Sequence, residues 1–138
     1  KVGSIIYYNW SNGLTSPAQV QALSAGLQQL AKENRIPIPL LIAADQEGGV
    51  VARLQSGFTS IPGNRALGET SDPNLAELSA LAMGQELQAV GFNMNLAPVV
   101  DVNSNPRNPV IGVRSFGDHP ETVIAFGEKS LSGSKLVL

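Results

Sequence analysis

The sequence predicts an α/β fold in which parallel strands alternate with helices. Short apolar runs rich in β-branched residues recur along the chain, and stretches with helical spacing of apolar residues separate them. This alternation implies parallel strands joined by right-handed helical crossovers. An eight-fold barrel uses roughly 31 residues per strand-helix unit, so 138 residues supply only about three or four units. Length by itself favours a small open sheet, with part of a TIM-type barrel as the alternative.

The first strand is predicted at residues 2–8, which are apolar, β-branched or aromatic. A helix follows after a turn, because Ser16 suits the N-cap and Pro17 suits the first helical position. Gln19 would complete a capping box. The helix is expected to extend to about Glu33, since four apolar residues recur at helical spacing: Val20, Leu23, Leu27 and Leu30.

A second strand is predicted at residues 36–44, which are too few for a helix and have two prolines at the extended entrance. A loop rich in Gly and Ser follows, and Asp72-Pro73 then opens another helix. Gly91 suits a left-handed residue that ends this helix. The predicted apolar face of the helix consists of Leu75, Leu78, Ala82, Met83, Leu87 and Val90.

The remaining elements are predicted with a long loop between them. Residues 92–100 form a third strand, and a loop rich in Asn and Pro comes after it. A further helix is expected from Thr122 to about Ser132, with Gly133 as its end. Residues 135–138 are a candidate for the start of another strand.

Composition argues against several classes of function. A net charge of −2 without a basic cluster does not suit a nucleic-acid partner. No apolar run reaches the ~18 residues that a membrane span requires, and no signal-peptide pattern is visible at the N-terminus. The chain has no cysteine, which excludes thiolate catalysis and disulfides. We expect no cofactor and no metal ion, and the compartment stays open.

Charged side chains follow two of the predicted strands. Asp45 comes directly after the second strand, and Asp101 comes directly after the third. Ligands of parallel α/β folds meet the carboxyl ends of the strands, so these carboxylates are expected on one rim, with Arg114 as a third group. Arg53 can fold back toward them because Gly48-Gly49 frees the intervening backbone.

A rim of carboxylates and guanidinium groups suits a polyol. The carboxylates accept hydrogen bonds from hydroxyl groups, and the arginines donate. The sequence contains neither GxGxxG nor GxxxxGK[ST], the usual phosphate-binding patterns. Each residue alone also has an ordinary structural role, since aspartates cap turns and arginines form ion pairs. Glu47, beside Asp45, is expected to be solvated or to support its neighbours.

Four motifs stand in a characteristic order along the chain: DQEGGVVARL at 45–54, F…PGN.ALG at 58–68, GFNMNLAPVVDV at 91–102 and NP.NPVIGVRSFG at 105–117. Together they resemble the N-terminal barrel domain of glycoside hydrolase family 3, most closely its β-N-acetylhexosaminidase branch. The resemblance covers nearly the whole chain. It implies one partial domain over residues 1–138, of the (β/α)₈ TIM-barrel type.

The resemblance also implies an activity. The parent enzyme is expected to remove terminal β-linked N-acetylglucosamine from a glycan or a cell-wall fragment, by a retaining mechanism. Asp45, Arg53 and Arg114 are expected to bind the sugar at the non-reducing end, and Asp101 is expected to line the site.

The resemblance assigns no catalytic residue to this chain. The family's Lys-His-Phe-Pro-Gly-His-Gly motif does not occur in the 138 residues, and the acid/base histidine and the nucleophilic aspartate are expected beyond that motif. Retaining hydrolysis needs both groups. We therefore expect these 138 residues by themselves to be inactive.

Three other interpretations stay open. The parent protein could be a β-glucosidase of the same family, because related motifs occur across it. The chain could instead be a carbohydrate-binding remnant without catalysis. A small open-sheet domain that serves assembly or regulation is the third possibility.

Overall fold

The computed structural model describes residues 2–135, in which three short parallel strands and three long helices form the framework. In chain order the elements are β1 (Ser4–Ile6), α1 (Asn9–Asn12), α2 (Pro17–Lys32), β2 (Leu41–Ala44), β3 (Gln46–Gly48), β4 (Val51–Ala52), α3 (Asn64–Glu69), α4 (Asn74–Ala89), β5 (Met94–Asn95), a 3₁₀ turn (Gly112–Arg114) and α5 (Pro120–Lys135).

The main sheet has the strand order β1-β2-β5, and both pairings are parallel. Ile6 lies opposite Ala43, and Ala44 lies opposite Asn95. The carboxyl ends of the three strands therefore meet on one side, which confirms the predicted α/β class. Strands β3 and β4 form a separate antiparallel hairpin beyond the end of β2. The number of barrel units stays a prediction.

The predicted strands at 2–8, 36–44 and 92–100 are too long, because only three, four and two residues are strand. Prolines at 37, 39 and 98 have no N–H to donate to a neighbouring strand. The side chain of Asn93 also takes the place of a neighbouring strand, because it forms hydrogen bonds to the backbone of β2 and of the residue before it. Its Oδ1 accepts from Ile42 N at 2.7 Å, and its Nδ2 donates to Leu40 O at 3.0 Å.

The predicted helix ends around α2 and α4 are confirmed. Ser16 is the N-cap of α2 and accepts a hydrogen bond from Gln19 N at 3.2 Å, and Glu33 is the C-cap. The capping box is not reciprocal, since Gln19 Oε1 accepts from Thr15 N rather than from the N-cap residue. After α4, Gly91 has the expected left-handed conformation, with φ at 88°.

The predicted apolar face of α4 is only partly correct. Met83 and Leu87 are buried, as is Val90 just after the helix, whereas Leu78 is 60% exposed. Ala76, Ala80 and Gly84 take the remaining buried positions on this helix. Small residues face inward because α4 lies closely against α5.

The predicted end of the last helix at Gly133 is wrong. Helix α5 runs from Pro120 to Lys135 and buries Gly133 within it. A side chain at this position would overlap the carbonyl oxygen of Glu77 in α4. Gly133 is therefore explained by close helix packing and not by a cap. The strand predicted at 135–138 is wrong for Lys135, which is the last residue of α5. Residues 136–138 lie outside the described residues.

Two clusters of buried residues form the core. The first lies between the sheet and helices α2 and α4, and it contains Tyr7, Val20, Ala31, Leu40, Ile42, Ala44, Leu54, Leu87, Val90 and Phe92. The second joins helices α3, α4 and α5, and it contains Leu67, Ala76, Phe116, Val123 and Phe126. Full burial of one such large side chain stabilises the fold by roughly 1.5–3 kcal/mol.

The outer strands leave apolar surface uncovered within the described residues. Among residues 2–135, strands β1 and β5 each pair with β2 and with no other strand. Exposed apolar side chains lie near the two ends of the sheet: Val2, Ile36 and Ile38 beside β1, and Val100, Ile124 and Leu131 after β5. Uncovered strand edges and apolar faces are what an incomplete barrel would show. No helix within residues 2–135 is long and apolar enough to cross a membrane.

Gly133→Ala tests the close approach of α4 and α5. The new methyl group meets the Glu77 backbone, so we expect the substitution to lower the free energy of unfolding by about 1–3 kcal/mol. Thermal unfolding followed by circular dichroism measures the effect. The matched control is Gly26→Ala in α2, where a Cβ meets nothing within 4 Å. It should stabilise the helix by about 0.5–1 kcal/mol. Equal melting temperatures for the two variants would contradict this packing.

Candidate functional site

The β3–β4 hairpin returns the chain to the end of β2. Gly48 and Gly49 make the turn with φ of 87° and 58°, a region that other residues rarely adopt. A Cβ on Gly48 would lie 2.7 Å from Pro62 O, and one on Gly49 would lie 2.7 Å from Gly63 Cα. Both glycines are therefore required by conformation and by space. The prediction that they allow Arg53 to fold back is confirmed.

Arg53 meets Asp45 at the carboxyl end of β2. Arg53 Nη2 and Nε donate to Asp45 Oδ2 at 2.8 Å and 3.3 Å. The two side chains are about one-fifth exposed, at 21% and 22%. Both guanidinium bonds go to a single oxygen. Asp45 Oδ1 has no hydrogen-bond partner within residues 2–135, and it can accept from another molecule.

Gln46 fixes the position of the Arg53 backbone. Its buried Oε1 accepts from Arg53 N at 2.9 Å and from Leu54 N at 3.0 Å, while its Nε2 donates to Leu54 O at 3.0 Å. Asn95, at the end of β5, bonds to both backbone groups of Gln46 at 2.9–3.0 Å. A continuous set of hydrogen bonds therefore connects β5 to the hairpin, and it gives each of these buried polar groups a partner.

Glu47 is buried, so of its two predicted roles the solvated one is wrong and the supporting one is correct. It forms a bidentate pair with Arg114: Nε donates to Oε2 at 3.0 Å, and Nη2 donates to Oε1 at 2.7 Å. The hydrogen bond with Glu47 raises the pKa of the Arg114 guanidinium, against an opposing effect of burial. This two-bonded geometry holds the guanidinium plane in one orientation.

Helix α3 supports the segment that carries Arg114, although the sequence predicted only a loop there. Buried Asn64, the first residue of α3, donates from Nδ2 to Arg114 O at 2.8 Å. Buried Ser115 donates to the carbonyl oxygens of Asp101 and Gly117. These contacts close the loop between β5 and α5 and place Arg114 at the rim.

Asp101 does not end a strand, since residues 96–100 are irregular. Its side chain is exposed, and its carboxylate has no hydrogen-bond partner in the described part of the chain. The negative charges of Asp101 and Asp45 nevertheless both favour the charged form of Arg114 and contribute to its raised pKa. The structure thus brings the four predicted residues to one rim: Asp45, Arg53, Asp101 and Arg114.

Two aromatic residues beside Arg53 were not predicted as site residues. Tyr8 and Trp10 are stacked, with ring centres 4.5 Å apart and planes 25° apart. Arg53 Cζ lies 5.5 Å from the centre of the Tyr8 ring and 5.2 Å from that of Trp10. These distances are in the range of cation–π contacts. The sequence did contain a signal that could have identified them, namely two aromatic residues directly after a predicted strand. Ligands of such folds bind at the strand ends.

Parallel strands that end at a rim of carboxylates and guanidinium groups define a class of protein: α/β domains that bind polar ligands at the carboxyl ends of the strands. The chain belongs to glycosyl hydrolase family 3, because the model of that family's N terminal domain matches residues 1–136. The family resemblance seen in the motifs is confirmed.

Relatives with known names agree with this assignment. The chain is 43% identical over 129 residues to "Beta-hexosaminidase A" of Pseudoalteromonas piscicida, covering 91% of this chain and 21% of that protein. It is 37% identical to the "Beta-hexosaminidase" of Nitrosomonas eutropha, covering 99% of this chain and 38% of that protein. The chain therefore spans less than two-fifths of the length of either relative.

A solved structure shares both fold and sequence with this chain. It is a glycoside hydrolase family 3 beta-N-acetylglucosaminidase from Paenibacillus sp. str. FPU-7, with a TM-score of 0.94 and 51% identity. The match covers 99% of this chain and 25% of that one. The parallel β1-β2-β5 framework is therefore the arrangement of this family's N-terminal domain.

Gln46→Leu tests whether one buried amide holds the hairpin in place. The substitution leaves the N–H groups of Arg53 and Leu54 and the carbonyl of Leu54 without this partner, at a cost of about 1–3 kcal/mol for each buried group. We expect a clearly lower melting temperature. Gln55→Leu is the control, because Gln55 is exposed and its side chain donates a single bond among residues 2–135, to Ala52 O. A melting temperature for Gln46→Leu equal to that of the control would refute the role.

Proposed function

We propose that the complete gene product hydrolyses terminal β-linked N-acetylglucosamine with retention of configuration, and that this chain supplies part of the sugar-binding site. The names of the relatives support the substrate class, since they are beta-hexosaminidases and a beta-N-acetylglucosaminidase. They favour N-acetylglucosamine over glucose. Asp45, Arg53 and Arg114 bind the sugar at the non-reducing end, and Asp101 lines the site.

One observation carries the proposal: Asp45 has one oxygen held by Arg53 and the other without a partner in residues 2–135. Arg53 Nη1 likewise has no hydrogen-bond partner among the described residues. The free carboxylate oxygen can accept from one hydroxyl group of a sugar, and the free guanidinium N–H groups can donate to another. Adjacent hydroxyl groups on a pyranose ring present this pair of partners.

Arg114 adds a fixed positive charge to the same rim. Glu47 holds the plane of this guanidinium through two hydrogen bonds. A donor that is already oriented loses little conformational entropy when it binds a hydroxyl group. The buried Glu47 is thus a positioning residue for Arg114, and it does not itself touch the sugar.

Neither carboxylate at the rim is assigned to bond cleavage. A retaining hydrolase needs a nucleophile on one face of the sugar and a proton donor near the leaving oxygen. Asp45 bonds to Arg53 in a way that suits binding, and Asp101 lies exposed in an irregular segment. We therefore assign nucleophile and acid/base to residues other than these two.

Asp45→Asn in the complete gene product is the direct test. The amide loses the charge that strengthens hydrogen bonds to sugar hydroxyls, so kcat/KM on p-nitrophenyl β-N-acetylglucosaminide should fall about 10- to 100-fold or more. Steady-state kinetics measures this change.

Two comparisons sharpen that test. Asp72→Asn is the matched control, because Asp72 lies on the surface before α4 and an amide oxygen can still accept from Asn74 N. Its kcat/KM should stay unchanged. The p-nitrophenyl β-glucoside distinguishes the two candidate activities. If the unmodified protein hydrolyses it faster than the N-acetylglucosaminide, the protein is a β-glucosidase. Full activity of Asp45→Asn would refute the proposed sugar-binding role.

The 138-residue chain by itself is expected to show no turnover of aryl β-N-acetylglucosaminides. The reason is that the proposal assigns neither catalytic group to Asp45 or Asp101. A colorimetric assay of the purified chain checks this, with isothermal titration against N-acetylglucosamine as a separate measure of binding. Turnover that disappears in the Asp45→Asn chain would show that the assignment is wrong.

A further inference from the structure

The two acid–arginine pairs at the rim use the same edge of the guanidinium but different numbers of carboxylate oxygens. In each pair the arginine donates from Nε and Nη2. Arg114 engages both oxygens of Glu47, whereas Arg53 directs both bonds to Oδ2 of Asp45. The fork of a guanidinium matches a carboxylate best when each N–H meets its own oxygen. The geometry of the second pair therefore reflects a restraint other than the ion pair itself.

Two aromatic rings lie against the guanidinium of Arg53. Its Cζ is 5.5 Å from the centre of the Tyr8 ring and 5.2 Å from that of Trp10. Both distances are within the ~6 Å at which a cation is attracted to a ring. The rings are stacked on each other, with 4.5 Å between their centres, and form one aromatic surface. The Arg53 side chain is only 21% exposed, and this attraction is stronger where less water screens it.

Hydrogen bonds fix the backbone that carries the rings. Tyr7 N donates to Ala43 O at 2.8 Å, which joins the residue before Tyr8 to β2. Asn12 accepts from Tyr8 N through Oδ1 at 2.8 Å and donates from its own N to Tyr8 O at 2.9 Å. Its carbonyl oxygen accepts from Gln19 Nε2 at 3.3 Å, which ties α1 to the first turn of α2. The two rings therefore present an ordered surface to the arginine, which lowers the entropy cost of the contact.

We propose that Tyr8 and Trp10 are positioning residues for Arg53. Their rings hold the guanidinium against Oδ2 of Asp45 and keep Oδ1 available as an acceptor for the sugar. This inference rests on the proposed function and adds to it the reason why a carboxylate already paired with an arginine can bind a ligand. Without the rings, the guanidinium turns to engage both oxygens, as Arg114 does with Glu47, and it competes with the sugar for Oδ1.

Trp10→Ala in the complete gene product tests this role, because Trp10 is 71% exposed and does not belong to the core. KM for p-nitrophenyl β-N-acetylglucosaminide should rise about 5- to 20-fold. The value of kcat should stay within about twofold, since Asp45 Oδ1 binds the ground state and the transition state alike. The inhibition constant of N-acetylglucosamine should rise by the same factor as KM. A variant that was merely less folded would instead show a lower kcat at an unchanged KM.

Two further substitutions separate a ring from an apolar side chain without one. Trp10→Phe keeps a ring face, so its KM should stay within about threefold of the unmodified protein. Trp10→Leu has no ring and should resemble Trp10→Ala. Equal KM values for the Phe and Leu variants would reject the cation–π contact. Leu78→Ala is the matched control, because Leu78 is an exposed apolar residue on helix α4, and it should change neither constant.

A double-mutant cycle shows whether Trp10 acts through Arg53. Arg53→Ala should raise KM by itself, and Trp10→Ala added to it should cause no further rise, because the side chain that the ring positions is gone. A further rise as large as that in the unmodified background would reject the inference, since Trp10 would then act without Arg53.

The same cycle distinguishes this inference from the proposed function. If Arg53→Ala raises KM and Trp10→Ala alone does not, the positioning role is rejected and the proposed sugar site stands. If neither Asp45→Asn nor Arg53→Ala changes KM or kcat, the proposed sugar site is rejected, and the positioning role is rejected with it.

Discussion

Strand β2 is hydrogen-bonded to β1 on one side and to β5 on the other, and the candidate site depends on this pairing. The register sets Ile6 opposite Ala43 and Ala44 opposite Asn95, and the Asn95 side chain then bonds to the backbone of Gln46. A shift by one residue would turn every β2 side chain to the opposite face. Asp45 would then point away from the rim, and the hairpin that carries Arg53 would lose its anchor.

Two acid–arginine pairs share the rim, and they differ in what they leave available. The Glu47–Arg114 pair engages both carboxylate oxygens, and the acid is buried. A buried ion pair contributes little net stability, since desolvation offsets the attraction. Its value here is orientation of the guanidinium. The Asp45–Arg53 pair uses one carboxylate oxygen and leaves the other without a partner in residues 2–135, which is the acceptor that the proposed sugar-binding role requires.

Local signals in the sequence predicted several features correctly. Ser16 before Pro17 marked the start of α2, Gly91 marked the residue after α4, and Gly48-Gly49 marked the return of Arg53. Each signal acts within a few residues, because caps and left-handed turns satisfy nearby backbone groups. The strand lengths were overestimated, since an apolar run shows burial and does not show where a neighbouring strand can pair. Helix α3 was missed for a related reason: a six-residue helix leaves a weak periodic signal.

The sequence by itself determined the order of the three parallel strands and the three long helices, the caps of α2, and the family to which the chain belongs. Only the tertiary structure decided which acidic side chain pairs with which arginine. Glu47 and Arg114 are 67 residues apart, and their bidentate contact follows from the loop that α3 and Ser115 hold in place. It also decided that Gly133 lies inside α5, against the backbone of α4. The physical reason is that contacts between distant segments arise from packing, which local spacing of residues does not encode.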